Sequence, residues 1–474
     1  MANDDSTVRD RPNVLWLVAD QHRPGWLGAA GHPVRTPNVD ALADRGVRFT
    51  NAFSPAPVCA ASRACLATGL SYDRSPVPGN GTDLPPSTTT VYERLRDEAG
   101  YHVMGCGKFD LHKASYAWGV DGQHRLRDWG FTAGVDNAGK IDAVLALVTD
   151  EHPRNVDSDR NLWAEIAGAL DAEALEPRDP YGAFLADEGL LADHVRDFLR
   201  RRHAEDKPAT FPTPLPAHAY CDNWIGRQGL TLLSDAPAAE PWFLQVNFAG
   251  PHSPWDVTED MHEWYRDPPV DLGSPAGEGG PPPEASDAVR RNYAAMIENI
   301  DRWVGRYIDR LRDRDELADT VIVFTADHGE MLGDHGRWGK SVPYCASSGI
   351  PLVVAGPEVK ARDPVDAPVS LLDLHATALS DAGLSIDGTD ARPLRTVLAG
   401  GAPPREVVIA ALYDWRLATD GRFSVVSGFD FGDDLRGDWS DPVLFDRLSD
   451  PGETRSVADA HPAVVNDLRD ALDR

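Results

Sequence analysis

Cys59 opens the run "CAASRACLATG" (Cys59 to Gly69), four residues ahead of Arg63, where a short helix would begin. At that spacing the two side chains share one helical face. A helix N-terminus favours anions through its free N–H groups and dipole, and Arg63 reinforces that field beside Cys59. Two readings follow from these residues. Cys59 is a small buried filler, as free cysteines commonly are, or it is a reactive group whose thiolate can attack. Further chemistry-bearing residues stand just after strand-like runs: Asp20 and Gln21 after "NVLWLVA", Lys108 after "YHVMGCG", His252 after "FLQVNFAGP", Asp327 and His328 after "TVIVFTA". Two carboxylates, an amide oxygen and an imidazole suit one divalent cation. Taken singly, each acid reads first as a turn former or helix cap. Their arrival at one edge of a single sheet is what points to a site.

For these groups to meet, strands and helices must alternate so that several strands end on the same side. The chain reads that way, as an α/β protein. "NVLWLVAD" is a continuous apolar run, the pattern of a strand buried on both faces of a parallel sheet. "TPNVDALADRG" reads as a helix with Thr36 as N-cap, Pro37 in the first turn and Gly46 as the stop. "TTTVYERLRDEAGYHVMGCGKFD" gives a helix, a stop at Gly100 and a strand leading to Lys108. Residues 120–235 are more polar and irregular, with helices such as "LLADHVRDFLRRRH", and read as inserts. Strand character returns in "PWFLQVNFAGPHSPW". A Gly/Pro-rich loop, the long amphipathic helix "RRNYAAMIENIDRWVGRYIDRLRDR", the strands "TVIVFTADHG" and "IPLVVAGP", and a helix ending at Gly383 follow. The expected organisation is a main unit over residues 1–385 and a small α+β lobe over 386–474.

Bulk properties narrow the classes. The chain has 474 residues, 42% hydrophobic and 8% aromatic, which suits a globular protein with a large core. The formal net charge of −29 argues against nucleic acid or an anionic membrane as partner. No run of about eighteen apolar residues marks a membrane span. The acidic start "MANDDSTVRDRP" has no apolar signal core, and the odd count of five cysteines needs no pairing, so a cytoplasmic location is expected. Lysine occurs only six times. A lysine beside a motif therefore draws notice, and any anion site must be locally positive against the overall field.

The run from Cys59 to Gly69 resembles the signature of the sulfatase family, within the alkaline-phosphatase-like superfamily: Cys or Ser, any residue, Pro or Ala, any residue, Arg, then Thr-Gly after four more. The similarity extends along nearly the whole chain. "RPNVLWLVADQ", "TPNVDALADRGVRFTNAF", "GCGKFDLH", "AGPHSPW", "YAAMIENIDRWVGRYID", "FTADHGEMLGDHGRWGK" and "LFDRLSDPGETRSVA" all have sulfatase counterparts in the same order. The resemblance implies an alkaline-phosphatase-like fold: a mixed, mostly parallel sheet flanked by helices, with a smaller C-terminal lobe. It also implies that Cys59 is converted after translation to formylglycine by a maturation enzyme. Its hydrate would attack the sulfur of a sulfate monoester, and its second hydroxyl would then expel sulfate. An unmodified serine or cysteine lacks that second hydroxyl.

By the same resemblance, Asp20, Gln21, Asp327 and His328 match the metal ligands, joined by the converted Cys59. The ion is expected to be Ca2+, with Mn2+ compatible. Arg63 matches the residue that holds formylglycine, Lys108 and Lys340 the two sulfate-gripping lysines, and His252 the general acid near the leaving group. Three departures stand out. Gln21 replaces the usual second aspartate, as in relatives that cleave phosphonate monoesters and phosphodiesters and in choline-sulfatase-like enzymes. Asp110 occupies the place of a histidine two residues after the first lysine, leaving His112 as its substitute. Ala61 replaces the more familiar proline. The expected activity is hydrolysis of a small sulfate ester; the alternatives are a phosphonate monoester or phosphodiester hydrolase on the same site, and a non-catalytic binding protein with unconverted Cys59. The alcohol pocket is expected in the inserts, around "LPAHAYCDNWIGRQG" with His218. A homo-oligomer is compatible with this pattern.

Overall fold

The computed structural model describes residues 11–153, 160–204, 208–277, 279–435 and 440–472. Eight strands form the main sheet: β1 (Asn13–Asp20), β2 (Val47–Phe53), β3 (His102–Gly107), β4 (Ala133–Asp136), β5 (Trp242–Pro251), β6 (Thr320–Ala326), β7 (Gly349–Ala355) and β8 (Val369–Ser370). Their order is β4-β3-β5-β1-β6-β7-β2-β8. β4, β3, β5, β1 and β6 are all parallel. β7 runs antiparallel between β6 and β2, which restores the direction, so β2 also ends on the edge where β1, β3, β5 and β6 end. Every residue of β1, β5, β6 and β7 is buried, because helices cover both faces of the sheet. Helices Pro37–Asp44, Cys221–Asp235 and Pro283–Asp313 pack together in one group, and Cys59–Thr68, Val91–Asp97 and Asp373–Asp381 in another.

Local chemistry sets several of these elements. Thr90 caps its helix by accepting from the Glu93 N–H. Thr36, expected to do the same, does not: its hydroxyl donates to Asp40 at 2.9 Å and accepts from the Gly28 N–H. The first N–H groups of that helix are satisfied from outside, by Asp301 of the long helix, which accepts from Asn38 and Val39. Gly107 ends β3 at φ 93°, and a Cβ there would lie 2.0 Å from the Asn247 carbonyl oxygen, so only glycine lets the strand turn toward Lys108. The long helix begins at Pro283, earlier than its amphipathic pattern announced.

The C-terminal part carries a second, antiparallel sheet of β9 (Val408–Leu412), β10 (Trp415–Thr419), β11 (Phe423–Ser427) and β12 (Val443–Asp446), in the order β12-β11-β10-β9. The helix Pro462–Leu472 packs on it. Its other face shares an apolar cluster with the loop leading into Cys59 and the first turn of the helix that follows: Ala56, Val58 and Ala61 lie among Leu412, Trp415, Leu417 and Phe445. Among the described residues, no helix is long and apolar enough to cross a membrane.

Candidate active site

The shared strand edge brings nine side chains into one cluster. β1 delivers Asp20 and Gln21, β3 delivers Lys108, β5 delivers His252, and β6 delivers Asp327 and His328. Cys59 is the first residue of the helix Cys59–Thr68, whose ten residues are all buried; its alanines let neighbours approach closely. Asp20, Cys59, Asp327 and His328 each present a donor atom, and these four lie within 4.8 Å of one another.

Arg63, one turn after Cys59, ties the carboxylates together. Its guanidinium donates to Asp327 at 3.0 Å, to Asp20 at 3.3 Å, to Asn247 at 3.1 Å and to the Lys108 carbonyl. Burial opposes its charge, but Asp327 and Asp20 more than offset this and raise its pKa further. The other oxygen of Asp327 accepts from the Gln21 and His328 N–H groups, each at 2.9 Å. The carboxylate is thus held from three sides before any ligand arrives.

The sulfur of Cys59 faces cations. Lys340 Nζ is 3.1 Å away, His328 Nε2 3.3 Å and Lys108 Nζ 3.5 Å. Burial alone would push the thiol up, yet Lys108, Lys340, His328 and a hydrogen bond with His252 hold it well below the usual thiol range. Lys108 also pairs with Asp20, and with Asp110 at 3.0 Å. His252 donates from Nδ1 to the Ser253 carbonyl, which leaves Nε2 for another partner. Two cis prolyl bonds, Gly250–Pro251 and Ser253–Pro254, bracket it.

The donor chemistry of four side chains, Asp20, Asp327, His328 and Gln21, fits a hard divalent cation. Asp20 and Asp327 supply carboxylate oxygen. His328 Nδ1 is engaged by the Gly329 carbonyl at 3.1 Å, which presents Nε2 to the cluster. The Gln21 amide nitrogen donates to Glu330, so its oxygen faces inward, where Lys340 meets it at 2.6 Å. A thiol at position 59 is the soft member of this set, and an oxygen there would make it consistent.

A family model described as Sulfatase matches residues 12–384. The chain belongs to the sulfatase family. It is 27% identical to the uncharacterized sulfatase YidJ of Escherichia coli, over 98% of this chain and 86% of the relative. Arylsulfatase K of Gallus gallus is 26% identical, over 97% of this chain and 81% of its own. The solved phosphonate monoester hydrolase of Agrobacterium radiobacter superposes with a TM-score of 0.71 at 24% identity, covering 98% of this chain and 95% of its own, and shows the same fold. The mixed sheet with a small antiparallel C-terminal sheet is the alkaline-phosphatase-like architecture of the sulfatases.

Two expected site residues of this sulfatase lie elsewhere. His112 does not reach the cluster: Asp110 sits at φ 55°, and beyond that turn the imidazole bonds Asp136 at 2.7 Å and stacks on Trp129. Asp110 itself occupies the ground beside Lys108, where it also pairs with Lys113 at 3.2 Å. His218 is 55% exposed and meets Glu188 at 3.3 Å. It lines a different surface cleft, with Arg227, Asn299 and Arg302. Conversely, Glu330 was missed, although it lies three residues after Asp327 in the same strand-end loop. Its carboxylate is fully buried and accepts from the Leu332 and Gly339 N–H groups as well as from Gln21.

Proposed function

We propose that this protein hydrolyses a sulfate monoester, releasing an alcohol, inorganic sulfate and one proton for each water consumed, with Cys59 converted to formylglycine. The observation that carries the reading is the placement of Cys59: a first-turn residue whose reactive atom is ringed by Lys108, Lys340 and His328 beside two buried carboxylates. Asp20, Gln21, Asp327, His328 and residue 59 would hold one divalent cation, Ca2+ in the first instance. When bound, the cation supplies Lewis-acid polarisation of the sulfate and of the nucleophile. The aldehyde made from Cys59 supplies, as its hydrate, an attacking oxygen and the hydroxyl that later expels sulfate.

The remaining roles follow from the side chains in place. Lys108 and Lys340 set positive charge beside position 59, where the sulfate oxygens accumulate charge as the ester bond breaks. Arg63 keeps the carboxylates of Asp20 and Asp327 apart and oriented. His252 Nε2 is the nitrogen able to give a proton to the departing alkoxide, since Nδ1 is committed to Ser253. A maturation enzyme is required as partner.

A second reading keeps this site and changes the ester to a phosphonate monoester or phosphodiester. Gln21 in place of a second acidic ligand favours it. One experiment orders the two. Protein from its native host is digested, and the Cys59 peptide is expected to weigh about 18 Da less than its cysteine form. The same preparation should cleave aryl sulfates faster than aryl phosphonates or phosphodiesters and lose activity on chelation. Unmodified Cys59 in active protein overturns the mechanism; a preference for the phosphorus esters overturns the substrate.

A further inference from the structure

Only six lysines occur in the chain. Lys108 and Lys340 meet the sulfur of Cys59; Lys113 does not, yet it is buried much as Lys108 is. A buried ammonium is costly unless it is paired. Lys113 has two carboxylate partners: it pairs with Asp142, and its Nζ lies 3.2 Å from Asp110 Oδ2. That same Asp110 oxygen meets Lys108 Nζ at 3.0 Å, and Lys108 in turn pairs with Asp20. The charges thus alternate in sign through one buried series: Asp20, Lys108, Asp110, Lys113, Asp142. Burial opposes the charge of Lys113, but Asp110 and Asp142 outweigh it and raise its pKa.

The far end of the series belongs to the inserts. Asp142 stands in the first turn of the helix Lys140–Leu145, and its other oxygen accepts from the Tyr116 hydroxyl at 2.8 Å. Gly139, the N-cap of that helix, lies against Lys108: a Cβ there would be 2.7 Å from the lysine Cε. One short helix thus backs the stem of Lys108 and fixes the carboxylate that engages Lys113. Asp110 is the awkward member. A carboxylate 3.0 Å from the ammonium that must grip sulfate offsets much of its charge, and salt screens such a buried contact little. Lys113 relieves this. Drawing on the same oxygen, it divides the Asp110 charge between two ammonium groups and leaves Lys108 positive charge to present to the ester.

We propose that Lys113 is a positioning residue: acting through Asp110, it keeps Lys108 available to a sulfate oxygen without touching the substrate itself. The inference rests on the sulfatase reading of the site, and it requires effects of opposite sign at two neighbouring residues. Inorganic sulfate is the probe, titrated by calorimetry into cation-loaded protein from the native host. Lys113→Met leaves Asp110 wholly to Lys108 and should weaken sulfate binding about tenfold. KM for 4-nitrophenyl sulfate should rise in step, with kcat changing less than about threefold. Asp110→Asn removes the competing charge and should bind sulfate at least as tightly as the parent. Asp110→Asn with Lys113→Met should stay within about twofold of Asp110→Asn alone, since Lys113 then has no charge on Asp110 to draw away. Where Lys113→Met alone does not fold, the comparison of the parent with Asp110→Asn still decides. Sulfate affinity indifferent to Lys113→Met, a loss of about tenfold that persists beside Asp110→Asn, or weaker binding in Asp110→Asn overturns the proposal. The sulfatase reading then stands on the parent's turnover of the sulfate ester. Lys113-dependent sulfate binding in a parent that cleaves no sulfate ester does the reverse, and a parent that binds no sulfate overturns both.

Discussion

Gln21 can face the cluster with its oxygen or its nitrogen, and Glu330 decides which. The Glu330 carboxylate is pinned on one side by the Leu332 and Gly339 N–H groups, and its other oxygen takes the Gln21 amide nitrogen. An aspartate at position 21 would oppose two buried carboxylates at that contact. Gln21→Asp is therefore expected to weaken cation binding and lower stability, and Gln21→Asp with Glu330→Gln to recover much of both. The coupling should be about 1–3 kcal/mol, read from denaturant unfolding of metal-free protein and from cation titration. Strict additivity would show that Glu330 does not orient the amide. The same pair marks what was legible at this scale. The grouping of Asp20, Lys108, His252 and Asp327 could be read because each follows an apolar run and the runs imply one sheet edge, while Cys59 was marked by its place at a helix start ahead of Arg63. Direction could not be read. Counting along from Lys108 puts His112 within reach, but the left-handed turn at Asp110 sends it to Asp136. Glu330 sits in plain view in "DHGE", but its purpose depends on the fold bringing it against Gln21.

Elements were readable where burial leaves a continuous apolar run, as in β1, β5 and β6, and less so where a partner supplies what local sequence lacks. The antiparallel entry of β7 between β6 and β2 has no signature in its own residues, since a strand buried on both faces looks alike in either direction. The helix after Thr36 shows the same dependence, its N-terminus being capped by Asp301 from a helix far along the chain. Asp179 offers a measurable case of an element's cap under stress. It caps the insert helix Pro180–Asp187, accepting from Gly182 and Tyr181, in a fully buried position. Burial outweighs those hydrogen bonds and pushes its pKa up to about 7. Between the ordinary carboxylate value and about 7, the folded state then holds a proton that the unfolded state has released, so this group's contribution to stability falls as pH rises through that window. Asp179→Asn keeps an acceptor for the cap and has nothing to ionise. Its stability relative to the parent should be near neutral at pH 4 and should improve steadily to pH 8, by on the order of a few kcal/mol. Paired unfolding curves across that range would show it; a constant difference would mean that Asp179 does not carry the proton.

At the scale of the whole molecule, a formal charge of −29 surrounds a site built to receive an anion. The two effects act over different distances. Lys108, Lys340 and Arg63 stand within the cluster, and Asp20 and Asp327 offset much of their charge at once. The acidic surface is distributed, and its repulsion reaches as far as salt permits. The screening length shrinks from about 30 Å at 0.01 M salt to about 8 Å at 0.15 M. Across that change the long-range repulsion is removed first, while contacts inside the buried cluster are screened little. The specificity constant for an anionic ester should therefore rise with added sodium chloride, by roughly 2–10-fold if encounter contributes to the rate, with kcat little changed. Enzymes whose substrates are drawn in by a matching field show the opposite slope. A fall in the specificity constant with salt would mean that the positive cluster projects well beyond its opening and governs approach despite the surface around it.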